Sequence, residues 1–240
     1  MSVRIDTLPR ITRPGVGAVL VSTWRVGTPE RQRAAVDAIR ETWEGAPWPT
    51  GDLLSYSVYT GTDGDTLLHY SQWRDVAAYD TFVQVHRDGR NARIDAAVPG
   101  IQRVALNKYE LYRSGGLAGE AGEARAPGAI VIVDVEFDGP DAARQRAWVD
   151  AVFEALESDE KPHPGGISGH FHVSLDGTRV LNYAEWESEQ AHIEALAGPG
   201  EGIGTATPEW HRVQNFPGLT GGGSVKRYLP ALSLSDAGRH

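Results

Sequence analysis

The sequence predicts an α+β chain built from two tandem copies of one module, and three observations predict it. The segment Arg31-Gln32-Arg33-Ala34-Ala35-Val36-Asp37-Ala38 returns as Arg144-Gln145-Arg146-Ala147-Trp148-Val149-Asp150-Ala151, 113 residues on. The same offset carries Asp63-Gly64 onto Asp176-Gly177, Leu68 onto Leu181, Tyr70 onto Tyr183 and Trp73 onto Trp186. Strand-like and helix-like stretches also follow one another in the same order in both halves. A constant offset through both kinds of stretch means duplicated structural units.

In the first copy, residues 18–24 (Ala-Val-Leu-Val-Ser-Thr-Trp) are a short apolar, β-rich run, so they predict a strand. Thr28 then supplies an N-cap and Pro29 suits the first helical position. Behind them Ala35, Ala38, Ile39, Thr42 and Trp43 recur at helical spacing and predict a buried stripe. Pro47, Pro49 and Gly51 end that helix. Leu53 to Tyr59 and Thr66 to Trp73 read as strands joined through Asp63-Gly64, a strong hairpin signal. Asp75 caps a second helix carrying Ala78, Tyr79, Phe82 and Val85, and a last strand is predicted over about 103–112 after Pro99-Gly100. The order is β-α-β-β-α-β, the ferredoxin-like unit. The second copy repeats it: a strand over 129–137, a helix over 141–156, a hairpin of 166–173 with 179–186, and a helix from Ser188. There Gly198 to Gly204 interrupt the helical pattern and delay the last strand to about 224–229. The expected division is therefore a module over 1–113, a Gly/Ala-rich tether over 114–128 and a module over 129–240.

The net charge of −9 argues against nucleic acid or an anionic membrane surface as partner, since both are bound through surplus Lys and Arg. With no cysteine there is no disulfide framework, no thiolate nucleophile and no Cys-ligated metal. The amino terminus carries an acid and no apolar run of signal-peptide length, and no run reaches membrane-spanning length, so a cytoplasmic location is expected. His163, His170 and His172 lack a carboxylate at ligand spacing, and no metal site is expected. The glycines of 198–204 do not make Gly-x-Gly-x-x-Gly and read as a loop.

A β-α-β-β-α-β unit of this length, with Trp closing its third strand and Pro-Gly before its last, resembles the antibiotic biosynthesis monooxygenase (ABM) domain. The resemblance runs from about Gly17 to Leu229. It implies two tandem ferredoxin-like domains packed as an intramolecular dimeric α/β barrel. It also implies a monooxygenase that oxidises a polycyclic aromatic of the anthrone or phenol type with dioxygen and no cofactor. In that family's anthrone oxygenases an Asn and a Trp four residues later line the substrate cavity. The second copy matches this with Asn182 and Trp186; the first has His69 and Trp73, so its Asn has become His. Alternatives on the same fold are a non-redox binding protein or cyclase for an aromatic metabolite, or a member using reduced flavin or heme. The expected partners are a small aromatic substrate and dioxygen, with a homodimer of the two-domain chain left open.

Strand alternation bears on the same residues. A two-residue turn at Asp63-Gly64 puts Leu54, Tyr56, Val58, Leu67, His69, Ser71 and Trp73 on one face, and Ile167, Phe171, Val173, Val180, Asn182, Ala184 and Trp186 on the matching face of the second copy. Such a face, apolar and aromatic with one strong hydrogen-bonding side chain, suits a flat ligand. The candidate catalytic residues are Asn182 as hydrogen-bond donor to a developing oxyanion, His69 as base, and Trp186 and Trp73 as walls. Tyr56, Val58, Ser71 and Phe171 are candidate substrate contacts. Trp73 and Trp186 also suit a plain core, and His69 suits a satisfied core histidine. His86, Arg87, Arg90 and Arg93 predict a solvated basic helix side, with Arg87 or Arg93 able to hold a phenolate at the rim.

Overall fold

The computed structural model describes residues 2–116, 125–158, 165–197 and 207–238. The residues group into two compact units, Met1–Tyr109 with Leu229–His240, and Glu110–Tyr228. The first unit holds β1 (Val3–Asp6), β2 (Ala18–Arg25), α1 (Pro29–Glu44), β3 (Leu53–Gly61), β4 (Thr66–Trp73), α2 (Val76–Phe82), a π-helical turn (Val83–Arg87), α3 (Asp88–Ala97) and the start of β5 (Gln102–Gly116). The second holds the end of β5, β6 (Ala129–Glu136), α4 (Ala142–Ser158), β7 (Gly166–Ser174), β8 (Arg179–Trp186), α5 (Glu189–Ala197), α6 (Pro208–Gln214) and the start of β9 (Ser224–Asp236). Each unit carries the β-α-β-β-α-β order, an α+β, ferredoxin-like arrangement with an antiparallel sheet.

In the first unit β2 pairs with β4 on one side and β5 on the other, and β3 pairs with β4. In the second, β6 pairs with β8, β8 with β7, and β6 with β9. The linear division at 113 and 129 is not how the residues group, because the last strand of each copy is longer than its apolar run suggests. Residues 114–116, expected in the tether, are the end of β5, and residues 229–236 of β9 belong to the first unit, where 233–236 pair with β1. The rest of the expected tether, 117–124, lies outside the described residues, as do His163 and the glycines of 198–204.

The local signals work as their chemistry requires. Thr28 and Asp75 accept from Arg31 N and Ala78 N respectively, and Pro29 opens α1. Every residue of the predicted α1 stripe is buried. Gly64 and Gly177 take φ of +75° and +79°, a backbone state that side-chain-bearing residues resist. Tyr56 stands opposite Ser71, and Ser57 opposite Tyr70, as a turn at Asp63-Gly64 demands. Two corrections apply. A bulge between Leu53 and Ser55 puts Leu53, not Leu54, opposite Trp73, and the same bulge recurs between Gly166 and Ser168. Val85 is 66% exposed, because the π turn rotates everything after Phe82 out of ordinary helical register. α6 is an addition that the Thr207-Pro208 cap, like Thr28-Pro29, signals in the sequence.

One buried side chain ties each helix to its hairpin. Gln32 donates from Nε2 to the carbonyl oxygens of Gly61 (3.0 Å) and Thr66 (2.8 Å), and its counterpart Gln145 donates to those of Ser174 (3.3 Å) and Arg179 (2.6 Å). Removing the donor takes one hydrogen bond from each of two carbonyls at the closed end of the hairpin, although Gly61 keeps its bond from the Gly64 N–H. Gln32→Leu is expected to cost roughly 1–3 kcal/mol of unfolding free energy, read as a lowered urea midpoint, and an unchanged midpoint would refute that role.

Candidate active site

A cavity of about 500 Å³ opens in the first unit between the β2–β4 sheet and the helices α2 and α3. Its sheet side is made by alternate residues of adjacent strands: Leu20, Ser22 and Trp24 on β2, and His69, Ser71 and Trp73 on β4. Ser22 lies opposite His69 and Leu20 opposite Ser71, so register alone brings them together. The wall is aromatic throughout. Trp24 lies 4.0 Å from the His69 ring, Trp43 stacks on Tyr56 at 4.5 Å, and Trp73 meets Tyr79 edge-on at 5.4 Å and Phe82 at 5.2 Å. The Trp73 indole N–H is satisfied by Ser71 Oγ at 2.9 Å, so this ring is a wall and not a free donor.

His69 is the polar centre. Tyr56 Oη and His69 Nδ1 are 2.7 Å apart, while His69 Nε2 is buried without a partner among the described residues. Burial, with a smaller contribution from the Arg103 guanidinium, lowers the imidazole from its ordinary 6.5 to about 3. Burial raises the Tyr56 phenol, which therefore stays protonated. A neutral imidazole has one donor and one acceptor nitrogen. If the phenol donates to Nδ1, its proton is used and His69 presents Nε2–H to the cavity; the opposite assignment would orphan the phenol proton as well. Burial thus keeps the imidazole neutral, and a neutral imidazole accepts or donates at Nε2 according to its tautomer.

The helix side of the cavity departs from expectation. Spacing from Phe82 in an unbroken α-helix would bring residues near 86, 89 and 93 to the cavity. Across the π turn the residues that line it are Arg87, Arg90, Asn91 and Ile94, while Arg93 is exposed. Val58, opposite His69, is fully buried core. Of the candidates in the first unit, Tyr56, His69, Ser71, Trp73 and Arg87 share the cavity, whereas Val58 and Arg93 do not line it. Sequence reasoning missed Trp24, Trp43, Arg90 and Arg103. Alternation along β2 points Trp24 the same way as Leu20, a signal that was available; the π turn and the cross-element approach of Arg103 leave none.

In the second unit Phe171 packs on Phe153 at 5.3 Å beside a depression of about 320 Å³. Asn182 and Trp186 do not line that depression. Yet Asn182 Oδ1 and Trp186 Nε1 are both buried without a partner among the described residues. The duplicated frame explains the second orphan: Ser71, which satisfies Trp73, has become Ala184. Trp186 instead meets His192 edge-on at 4.9 Å, and Arg227 donates from Nε to His192 Nδ1 at 2.9 Å. Among the described residues no group of three or more His, Asp, Glu or Cys is placed to hold a metal ion. No described helix is long and apolar enough to cross a membrane.

No family model matches the chain. The tetracenomycin-F1 monooxygenase of Streptomyces glaucescens is 36% identical over 64 residues. Over that segment the chain is similar to this monooxygenase. The match spans 27% of this chain and 55% of the relative, so the chain covers about half the relative's length. The crystal structure of an anthrone oxidase-like protein superposes with a TM-score of 0.67 at 18% identity, covering 92% of this chain and 93% of that one. A chlorite dismutase variant from Candidatus Nitrospira defluvii gives 0.55 at 13% identity over 92% and 94%. This chain shares its fold with both, and the difference between an anthrone oxidase-like protein and a chlorite dismutase illustrates that the fold carries more than one chemistry.

The state of His69 has a measurable consequence. Its ring resonances should not titrate between pH 7.5 and 4.5, and a midpoint near 6.5 would refute the buried neutral assignment. His172, fully buried, is likewise lowered to about 3, chiefly by burial. For both, the unfolded chain binds a proton below about 6.5 that the folded chain refuses. Stability is therefore full above pH 6.5 and falls as pH descends toward 3, by on the order of a few kcal/mol. His69→Gln should flatten that slope in urea titrations repeated across the range.

Proposed function

We propose that the chain is a monooxygenase of aromatic polyketide tailoring whose substrate, a polycyclic phenol or anthrone, binds in the first-unit cavity. The observation that carries this reading is His69 Nε2: a buried hydrogen-bonding atom without a partner among the described residues, on a side chain that lines an aromatic cavity of about 500 Å³. Flat rings fill such a wall, and a preorganised N–H in a dry site stabilises the oxyanion of an ionised phenol or enolate. That anion can pass an electron to dioxygen. Carbon–oxygen bond formation then gives a hydroperoxide, and loss of water leaves a carbonyl, so one oxygen atom enters the product and the other becomes water. The substrate supplies the electrons, and no flavin, heme or metal is needed. The relation to a tetracenomycin-F1 monooxygenase supports the same reaction class.

A second site in the other unit is favoured by one observation, the orphaned Asn182 Oδ1 and Trp186 Nε1 on one strand face. Oxygen uptake with a panel of anthrones, without added cofactor, decides among the readings. His69→Phe is expected to lower turnover about 100-fold while Asn182→Ala leaves it within a few-fold. The reverse pattern would move the active site to the second unit. Conversion no faster than the spontaneous rate would refute the oxygenase reading, and a heme absorption band in the purified protein or a requirement for reduced flavin would refute cofactor independence.

A further inference from the structure

Three guanidiniums line the first-unit cavity, and two of them have carboxylate partners. Arg103 is held by Asp95 at 3.0 Å, and Arg87 contacts Asp88 at 3.3 Å. Arg90 has no carboxylate partner among the described residues. One of its terminal nitrogens donates to the Pro47 carbonyl oxygen at 3.0 Å, and its plane lies 4.7 Å from the Trp43 ring and 5.9 Å from that of Phe82. Its Nε is buried with no hydrogen-bond partner among the described residues. Stacking on aromatic faces holds a guanidinium in place without neutralising it, and a buried N–H on a cation is costly to leave unmade. In a chain of net charge −9, an uncompensated cation against an apolar wall is not a by-product of composition.

We propose that Arg90 is a specificity-determining residue that binds a carboxylate carried by the flat aromatic ligand, so that the preferred ligands are aromatic acids. The proposal rests on the reading of this cavity as an aromatic-substrate site and names its substrate class. A carboxylate matches the planar fork of guanidinium nitrogens and supplies the acceptor that Nε lacks. The π turn puts Arg90 at this position, beside Asn91 and one helical turn from Arg87 and Ile94 on the cavity side. The ligand's rings would extend toward Trp24 and His69, which leaves the reacting oxygen and the carboxylate at opposite ends of the pocket.

The test is calorimetric binding of anthraquinone-2-carboxylate and its neutral isostere anthraquinone-2-carboxamide, which needs no turnover. The carboxylate is expected to bind the wild-type chain about 10-fold or more tightly than the amide. In Arg90→Gln that ratio should fall to near one with amide affinity unchanged, and the retained amide binding reports an intact cavity. Arg90→Lys, which keeps the charge but not the fork, should keep part of the preference. Equal binding of the two probes by the wild type, or an unchanged ratio in Arg90→Gln, overturns the proposal and leaves the aromatic cavity standing. Failure of the wild type to bind either probe overturns the cavity reading and the proposal with it.

Discussion

A one-residue slip in the pairing of β3 with β4 would carry His69, Ser71 and Trp73 together off the helix-facing side of the sheet. Everything in the candidate site depends on that register. It is held at the closed end by Asp63-Gly64, with Asp63 accepting from the backbone of Asp65 and Thr66, and by Gln32, which reaches from α1 to both strands. At the open end the bulge at Leu54 turns Leu53 onto Trp73. The register is therefore pinned at the turn and adjusted at the bulge, and His69, Ser71 and Trp73 inherit their positions from it.

Within that frame the chemistry is set by burial more than by charge. A histidine walled by Trp24 and Tyr56 is held neutral, with its Nδ1 engaged by the Tyr56 hydroxyl and its Nε2 left without a partner among the described residues. The guanidiniums come from both sides, Arg87 and Arg90 from the helix side and Arg103 from β5, where it lies over the Trp24 ring at 4.6 Å. An aromatic cavity with cations at its walls discriminates ligands twice: by shape against the rings, and by charge.

The duplication supplies an internal comparison that a single domain would not. Gln32 and Gln145, and the bulges at the foot of each hairpin, are repeated because both copies need the same scaffold. Where the copies differ, the polar groups differ: His69 against Asn182, Ser71 against Ala184, Tyr79 against His192. Each change alters which buried donor or acceptor is satisfied, so Trp73 is closed off by Ser71 while Trp186 is left with a free N–H. Divergence at those positions changes what each pocket can hydrogen-bond without disturbing the sheet that carries it.

Much of the fold is written in local and periodic signals. The caps at Thr28 and Asp75, the Asp-Gly turns and the two-residue alternation depend on neighbours in sequence, and they placed Tyr56, His69, Ser71 and Trp73 on one face without coordinates. Three things needed the tertiary structure. The extent of β5 and β9 depends on strand partners distant in sequence, so the apolar runs understate it and the expected division into 1–113 and 129–240 fails. The π turn is an extra residue in a helix whose composition does not announce it, and it exchanges Arg93 for Arg90 at the cavity. The state of His69 depends on how completely it is desolvated and on the phenol beside it, and neither is a property of the residue or of its spacing. Periodicity records which way a side chain points; only packing decides what surrounds it, and here the surroundings keep His69 neutral beside the Tyr56 phenol.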